Sequence, residues 1–149
     1  MFYYSATKRL IAGNKIQIFN YGNCKLDFTY IDDIIEGLIR VVQYPPAVER
    51  AEDGTTQPPY AIYNIGGGTP QSVLEFIKIL QDELVRASLL PSDYDFEGKR
   101  ELVGMQPGDV PITYADSSDL ERDFGFTPRI DLRTGLRAFV EWYKEYYHL

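Results

Sequence analysis

The chain has 149 residues, 44% hydrophobic and 25% charged, which is one domain's worth of sequence and excludes disorder as a description of the whole. The formal net charge is -7 and the Lys and Arg residues are scattered rather than clustered, which argues against a nucleic-acid surface. One cysteine, Cys24, excludes an intramolecular disulfide, and no apolar run approaches the roughly 18 residues of a membrane span, so the composition predicts a soluble, acidic, cytoplasmic domain.

Phe2, Ala6, Leu10 and Ile11 fall at helical spacing, and Gly13-Asn14 ends that stretch, which predicts a short helix over Phe2 to Ala12. Lys15 to Phe19 alternates polar and apolar residues and reads as a strand, closed by the turn residues Asn20-Tyr21-Gly22-Asn23. Phe28-Thr29-Tyr30-Ile31 reads as a second short strand. Asp32-Asp33 then place negative charge at a helix start, and Ile34, Ile35, Leu38, Val41 and Val42 form an apolar stripe that ends at Pro45-Pro46. Ala47 to Pro59 is polar and reads as an exposed loop.

Tyr60 to Ile65 reads as a strand running into Gly66-Gly67-Gly68. Thr69-Pro70 supply an N-cap hydroxyl and a first-turn proline for a helix reaching about Ala87, with Val73, Phe76, Ile77, Leu80 and Leu84 on one face. Pro91 to Asp95 is a turn and Leu102 to Met105 a short strand. Asp116 caps a helix through Phe124, and Asp131 caps the last one, where Leu136, Phe139, Val140, Tyr143 and Tyr147 recur at helical spacing. The pattern predicts an α/β fold in a single unit, residues 1–149.

Motifs that look chemical have plain structural readings. Tyr4-Ser-Ala-Thr-Lys8 has a spacing that suits an acid–base tyrosine beside a lysine, but the same spacing arises by chance on any helix. Gly66-Gly67-Gly68 sits where helix amides could cradle an anion, yet neither Gly-x-Gly-x-x-Gly nor a P-loop ending is present, and a tight turn accounts for it. Asp32-Asp33 fit helix capping better than metal binding. Cys24 has no base nearby in sequence, His148 stands alone, and the aromatic end from Trp142 to Tyr147 fits packing as well as sugar stacking.

Four ordered stretches carry more weight together: Ile16 to Gly22, Asp27 to Ile34, Tyr63 to Gly66, and Gln106-Pro107-Gly108-Asp109-Val110 followed by Ala115-Asp116. With Gly125 to Pro128 and Phe139 to Tyr143, they resemble the C-terminal half of the extended short-chain dehydrogenase/reductase family, the NAD-dependent nucleotide-sugar epimerases and dehydratases. The Asn-Tyr-Gly turn and Gln-Pro-Gly-Asp-Val most resemble the UDP-glucuronate 4-epimerase branch.

The resemblance implies a two-part enzyme, in which an N-terminal Rossmann domain holds NAD and carries the catalytic Tyr-x-x-x-Lys. There NAD removes hydride from sugar C4 and returns it to the other face, while the C-terminal portion anchors the UDP. Aligned on its motifs, this sequence begins beyond the catalytic pair, so the Rossmann core is missing and the chain alone is expected neither to bind NAD nor to act. The fold implied is the C-terminal substrate domain plus the final strand and helix of a Rossmann-type fold. Residues 24–45 would pack on the absent sheet, leaving Ile34, Ile35, Leu38 and Val42 exposed and prone to self-association or local disorder.

By the same resemblance, Gln17, Ile18, Phe19 and Asn20 form the segment that meets the uracil, Asp109 lies near the uridine ribose, and Gln106 occupies a position that is Arg in some relatives. Leu26 departs from the family, which usually has an Arg there on the pyrophosphate; its loss weakens UDP binding by a few kcal/mol, and Lys25 points to the opposite face. The implied partners are a UDP-sugar, the missing Rossmann domain and a possible second copy, with no metal and no membrane. The rival readings are a sister dehydratase or decarboxylase and a free-standing, non-catalytic binding remnant.

Overall fold

The computed structural model describes residues 2–149. Its core forms where α3 (Val73–Arg86) crosses α5 (Leu132–Tyr146). Ile77, Leu80 and Leu84 of the first and Leu136 and Val140 of the second are buried together. Each contributes about 2 kcal/mol by leaving water. On one flank α1 (Phe2–Ile11) adds Ala6 and Leu10, and β1 (Ile16–Ile18) adds Ile16 and Ile18. β1 pairs in parallel with β6 (Arg100–Leu102), so its two isoleucines face inward while Gln17 turns out and donates to Glu101 Oε2 at 3.2 Å.

Beyond this core the ladders are short. β2 (Lys25–Leu26) lies antiparallel to β5 (Gln71–Ser72), and β3 (Glu49–Arg50) to β4 (Thr56–Gln57). α2 (Ile31–Gln43) and α4 (Ser118–Phe124) pack on each other. No helix among the described residues is long and apolar enough to cross a membrane.

Caps and faces of the three long amphipathic helices α2, α3 and α5 follow the sequence, with local exceptions. Asp131 caps α5 by accepting from Thr134 N. α3, however, begins three residues after Pro70: Gln71-Ser72 join a ladder first, and the Ser72 hydroxyl accepts from Leu74 N. Asp116 accepts from Ser118 N, although the N-cap residue of α4 is Ser117. Neither Phe28–Ile31 nor Tyr60–Ile65 is a strand: among the described residues no segment pairs with them, and a strand needs a ladder partner. Ile31 instead opens α2, Tyr60 and Ile62 stand in solvent, the strand expected at Leu102–Met105 begins two residues early and spans Arg100–Leu102, and the loop 47–59 holds the β3–β4 hairpin.

Side chains do the joining that ladders do not. Asp27 Oδ2 accepts from the amides of Gly68 and Ala115, each at 3.0 Å. The hydroxyl of Thr29 accepts from Gly67 N, and that of Ser117 both accepts from Gly66 N and donates to Gly66 O. Here glycine is required by close approach: a Cβ on Gly66 would lie 2.3 Å from the Ala115 Cβ. Asp33, buried in α2, accepts from the amides of Arg129 and Ile130 and so ties the entry to α5.

Glu83, 1% exposed on α3, is held by Arg86, Arg133 and Arg137 at 2.7, 2.9 and 3.1 Å. Burial pushes its carboxyl up, but the hydrogen bonds from Arg137, Arg86 and Arg133 outweigh it and hold it at about 2 against an ordinary 4.5. Its stabilising contribution is therefore full above pH 4.5 and drains away as pH falls toward 2. Thermal melts of Glu83→Gln should show a loss of about 2 kcal/mol at pH 7. The gap to the parent chain should narrow through that acid window; a gap independent of pH would contradict the assignment.

Candidate functional site

β1 ends in an unusual turn. Phe19–Gly22 form a 3-10 segment in which Asn20 and Tyr21 take left-handed backbone angles, φ 50° and 53°. Asn can adopt this at little cost; Tyr adopts it only because its surroundings fix it. The Asn20 amide donates to Asn23 O, and Gly22, at φ 80°, has no room for a Cβ against Leu74. Phe19 is left half-buried at this rim, with Gln17 exposed beside it and Ile18 fully buried below.

A second segment is laced to the first. Val103 N donates to Ile18 O at 3.0 Å, and Tyr21 N donates to Val103 O at 2.9 Å. The chain then runs exposed through Gly104 and Met105 into a turn in which Asp109 N donates to Gln106 O, with Gly108 at φ 92°. It is caught again where Lys25 N donates to Pro111 O and Thr113 N donates to Lys25 O. The loop carrying Gln106 and Asp109 is thus pinned at one end to the β1 turn and at the other to β2. Of the six residues singled out in the sequence, five are exposed or half-buried along this edge, whereas the Ile18 side chain is core and can offer a ligand only its backbone. Lys25 is exposed and its neighbour Leu26 half-buried, on opposite sides of β2.

Other motifs resolve into structure. The three amides of Gly66, Gly67 and Gly68 are taken by Ser117, Thr29 and Asp27, so the triglycine turn has no donor left for a cofactor pyrophosphate, and NAD does not fit there. The Tyr4 hydroxyl meets that of Tyr147 at 2.5 Å, a bond that pushes the Tyr147 phenol up to about 12, while Lys8 is exposed. Among the described residues no group of His, Cys, Asp and Glu is arranged to hold a metal ion.

An apolar cavity of about 580 Å³ lies on another side, between α1, α5 and the residues leading into α2. Phe28, stacked on Phe76 at 4.3 Å, lines it with Tyr3, Tyr30, Phe139 and Trp142. None of the six sequence-derived site residues lines this cavity. The sequence reading missed it, because its walls come from four separate segments. It also missed Tyr21 and Val103 as the lacing residues, which only the left-handed turn brings together.

No protein-family model matches the chain. In sequence it is 35% identical to the protein CapI of Staphylococcus aureus, over 95% of this chain and 41% of CapI. It is 33% identical to a probable UDP-glucuronate 4-epimerase of Rhizobium meliloti (91% of this chain, 39% of that protein). The UDP-glucuronate 4-epimerase 4 of Arabidopsis thaliana is 34% identical, over 99% of this chain and 32% of its own length. The chain therefore spans about 40% or less of the length of the curated relatives it matches.

Among solved structures, UDP-glucuronic acid 4-epimerase from Bacillus cereus, in complex with UDP-glucuronic acid and NAD, superposes with a TM-score of 0.75 at 24% identity, over 99% of this chain and 40% of that one. UDP-glucose 4-epimerase from Thermotoga maritima gives 0.73 at 20% identity, over 97% and 40%. In sequence and in fold, the chain corresponds to the C-terminal portion of the NAD-dependent epimerase/dehydratase enzymes, with UDP-glucuronate 4-epimerases among its homologues.

Proposed function

We propose that this chain is the part of an NAD-dependent nucleotide-sugar 4-epimerase that grips the UDP end of the substrate, in a cytoplasmic enzyme converting UDP-glucuronate to UDP-galacturonate. The observation that carries this reading is the double lacing at Val103, which brings the Phe19 turn and the Gln106–Asp109 loop onto one edge. On that edge the uracil meets the Phe19 ring and the backbone of Ile18 and Asn20, with Gln17 at its border. The Asp109 carboxylate accepts from the ribose hydroxyls and Gln106 donates nearby. Without an Arg at position 26 the pyrophosphate lacks its planar cation, which lowers affinity without removing the anchor. NAD and the reacting tyrosine belong to the N-terminal portion of the whole protein, and the chain by itself is inactive.

Titration calorimetry of the chain with UDP tests the reading. Saturable binding is expected, weakened about tenfold or more by Phe19→Ala and by Asp109→Ala. An absence of heat at millimolar UDP would sink the UDP-anchor assignment.

The second element of the proposal concerns residues 24–45, which pack on the sheet of the N-terminal portion. α2 supports it for three of the four residues expected to be open: Ile35, Leu38 and Val42 form a stripe 46%, 50% and 70% exposed, whereas Ile34 is half-buried and Asp33 and Gly37 on the opposite side are buried. An open stripe of this kind drives association. By light scattering at high concentration the chain should form dimers or larger species, and Leu38→Glu should shift it toward monomer without lowering its melting temperature. A parent chain that stays a monodisperse monomer would contradict the idea.

A further inference from the structure

Three stretches far apart in sequence meet at one side chain. Asp27 donates its backbone N–H to the Thr113 hydroxyl at 2.9 Å. Its carboxylate places both accepted bonds on Oδ2, one from Gly68 before α3 and one from Ala115 beyond the Gln106–Asp109 loop. The other oxygen, Oδ1, is buried and accepts no bond from the described residues. Removing this one carboxylate therefore takes the acceptor from two amides at once, the part-buried one of Ala115 and the exposed one of Gly68, in segments that have no ladder to fall back on. Ala115 cannot slide to another partner readily, because it is seated against Gly66, where only the absence of a Cβ leaves room.

From this geometry we infer that Asp27 is the positioning residue of the proposed nucleotide edge: it holds the far anchor of the loop carrying Gln106 and Asp109 while touching no ligand. The near anchor, at Val103, is made by backbone and is insensitive to side-chain identity. The far anchor runs from Pro111 to Ala115. Two of its bonds are ladder-like contacts with Lys25, and the other two end on Asp27. Asp27 is thus the point at which the loop is fixed relative to both β2 and the triglycine turn. The role rests on the UDP reading only for its consequence, not for its geometry.

Residue-resolved amide exchange on the 149-residue chain tests it. In Asp27→Ala the amides of Lys25, Asp109 and Thr113, none bonded to the Asp27 side chain, should exchange about tenfold faster, while those of Leu80 and Val140 stay unchanged. Asp27→Asn keeps an acceptor and should restore most of the protection. UDP affinity should fall in the same order, parent above Asn above Ala. Should Asp27→Ala fail to fold, Asp27→Asn and Thr113→Val give the same local pattern in weaker form. Unchanged exchange at Asp109 and Thr113 would overturn the inference, as would equal acceleration through α3 and α5, the mark of a merely global loss. A parent chain that binds no UDP, yet shows the local pattern in Asp27→Ala, refutes the nucleotide reading and leaves the positioning role standing.

Discussion

A buried backbone amide must find an acceptor, and this chain has few ladders in which to find one. Its sheets are pairs of two- or three-residue strands, so long stretches between helices would leave their N–H groups unpaired. Short polar side chains fill the gap: in part-buried positions Asp27 for Ala115, Ser117 for Gly66, and Asp33 for Arg129 and Ile130, and at the exposed turn Asp27 for Gly68 and Thr29 for Gly67. That constraint makes sense of residues otherwise puzzling in place. Asp33 is a buried carboxylate on a helix, and its cost is offset by the two amides that open the path into α5.

The same constraint separates the molecule into a braced edge and an open face. On the edge, β1, the left-handed turn and the loop to Asp109 are tied at both ends, leaving exposed polar groups on a fixed backbone, the condition for binding a small polar ligand with little ordering cost. On the open face lie the α2 stripe and the aromatic cavity, which meet at Ile31, the exposed first residue of α2 and a lining residue of the cavity. These are apolar surfaces of the sort that macromolecular contacts cover. The chain spans about two-fifths of relatives such as CapI, and under the proposed function the edge takes the ligand while the open face takes the rest of a larger fold.

How much of this was legible depends on whether the signal was local. α1, α3 and α5 were readable because a 3.6-residue period and the Asp131 cap are local properties. Phe28–Ile31 and Tyr60–Ile65 look like strands by side-chain type, but strand pairing is non-local and no described segment supplies a partner. The start of α3 was misplaced because Gln71 and Ser72 are recruited by β2, forty-five residues away in sequence, before the helix can begin. The site segments were legible only as a resemblance carried by motifs in order. Three of those motifs, at Asp27, Gly66 and Ala115, turn out to touch one another, a reason for their co-occurrence that spacing cannot reveal. Nothing in the sequence marks Val103 as a lacing residue, because its part is played by its backbone.

The central claim is that the edge formed by the Phe19 turn and the Gln106–Asp109 loop, and not the aromatic cavity, holds a nucleotide. Amide chemical-shift mapping of the labelled chain during titration with UDP tests this most directly. The account predicts perturbations concentrated at Gln17 to Tyr21 and Val103 to Asp109, with Phe139 and Trp142 unmoved. Shifts gathered around Trp142, or none in either place at millimolar UDP, would contradict it.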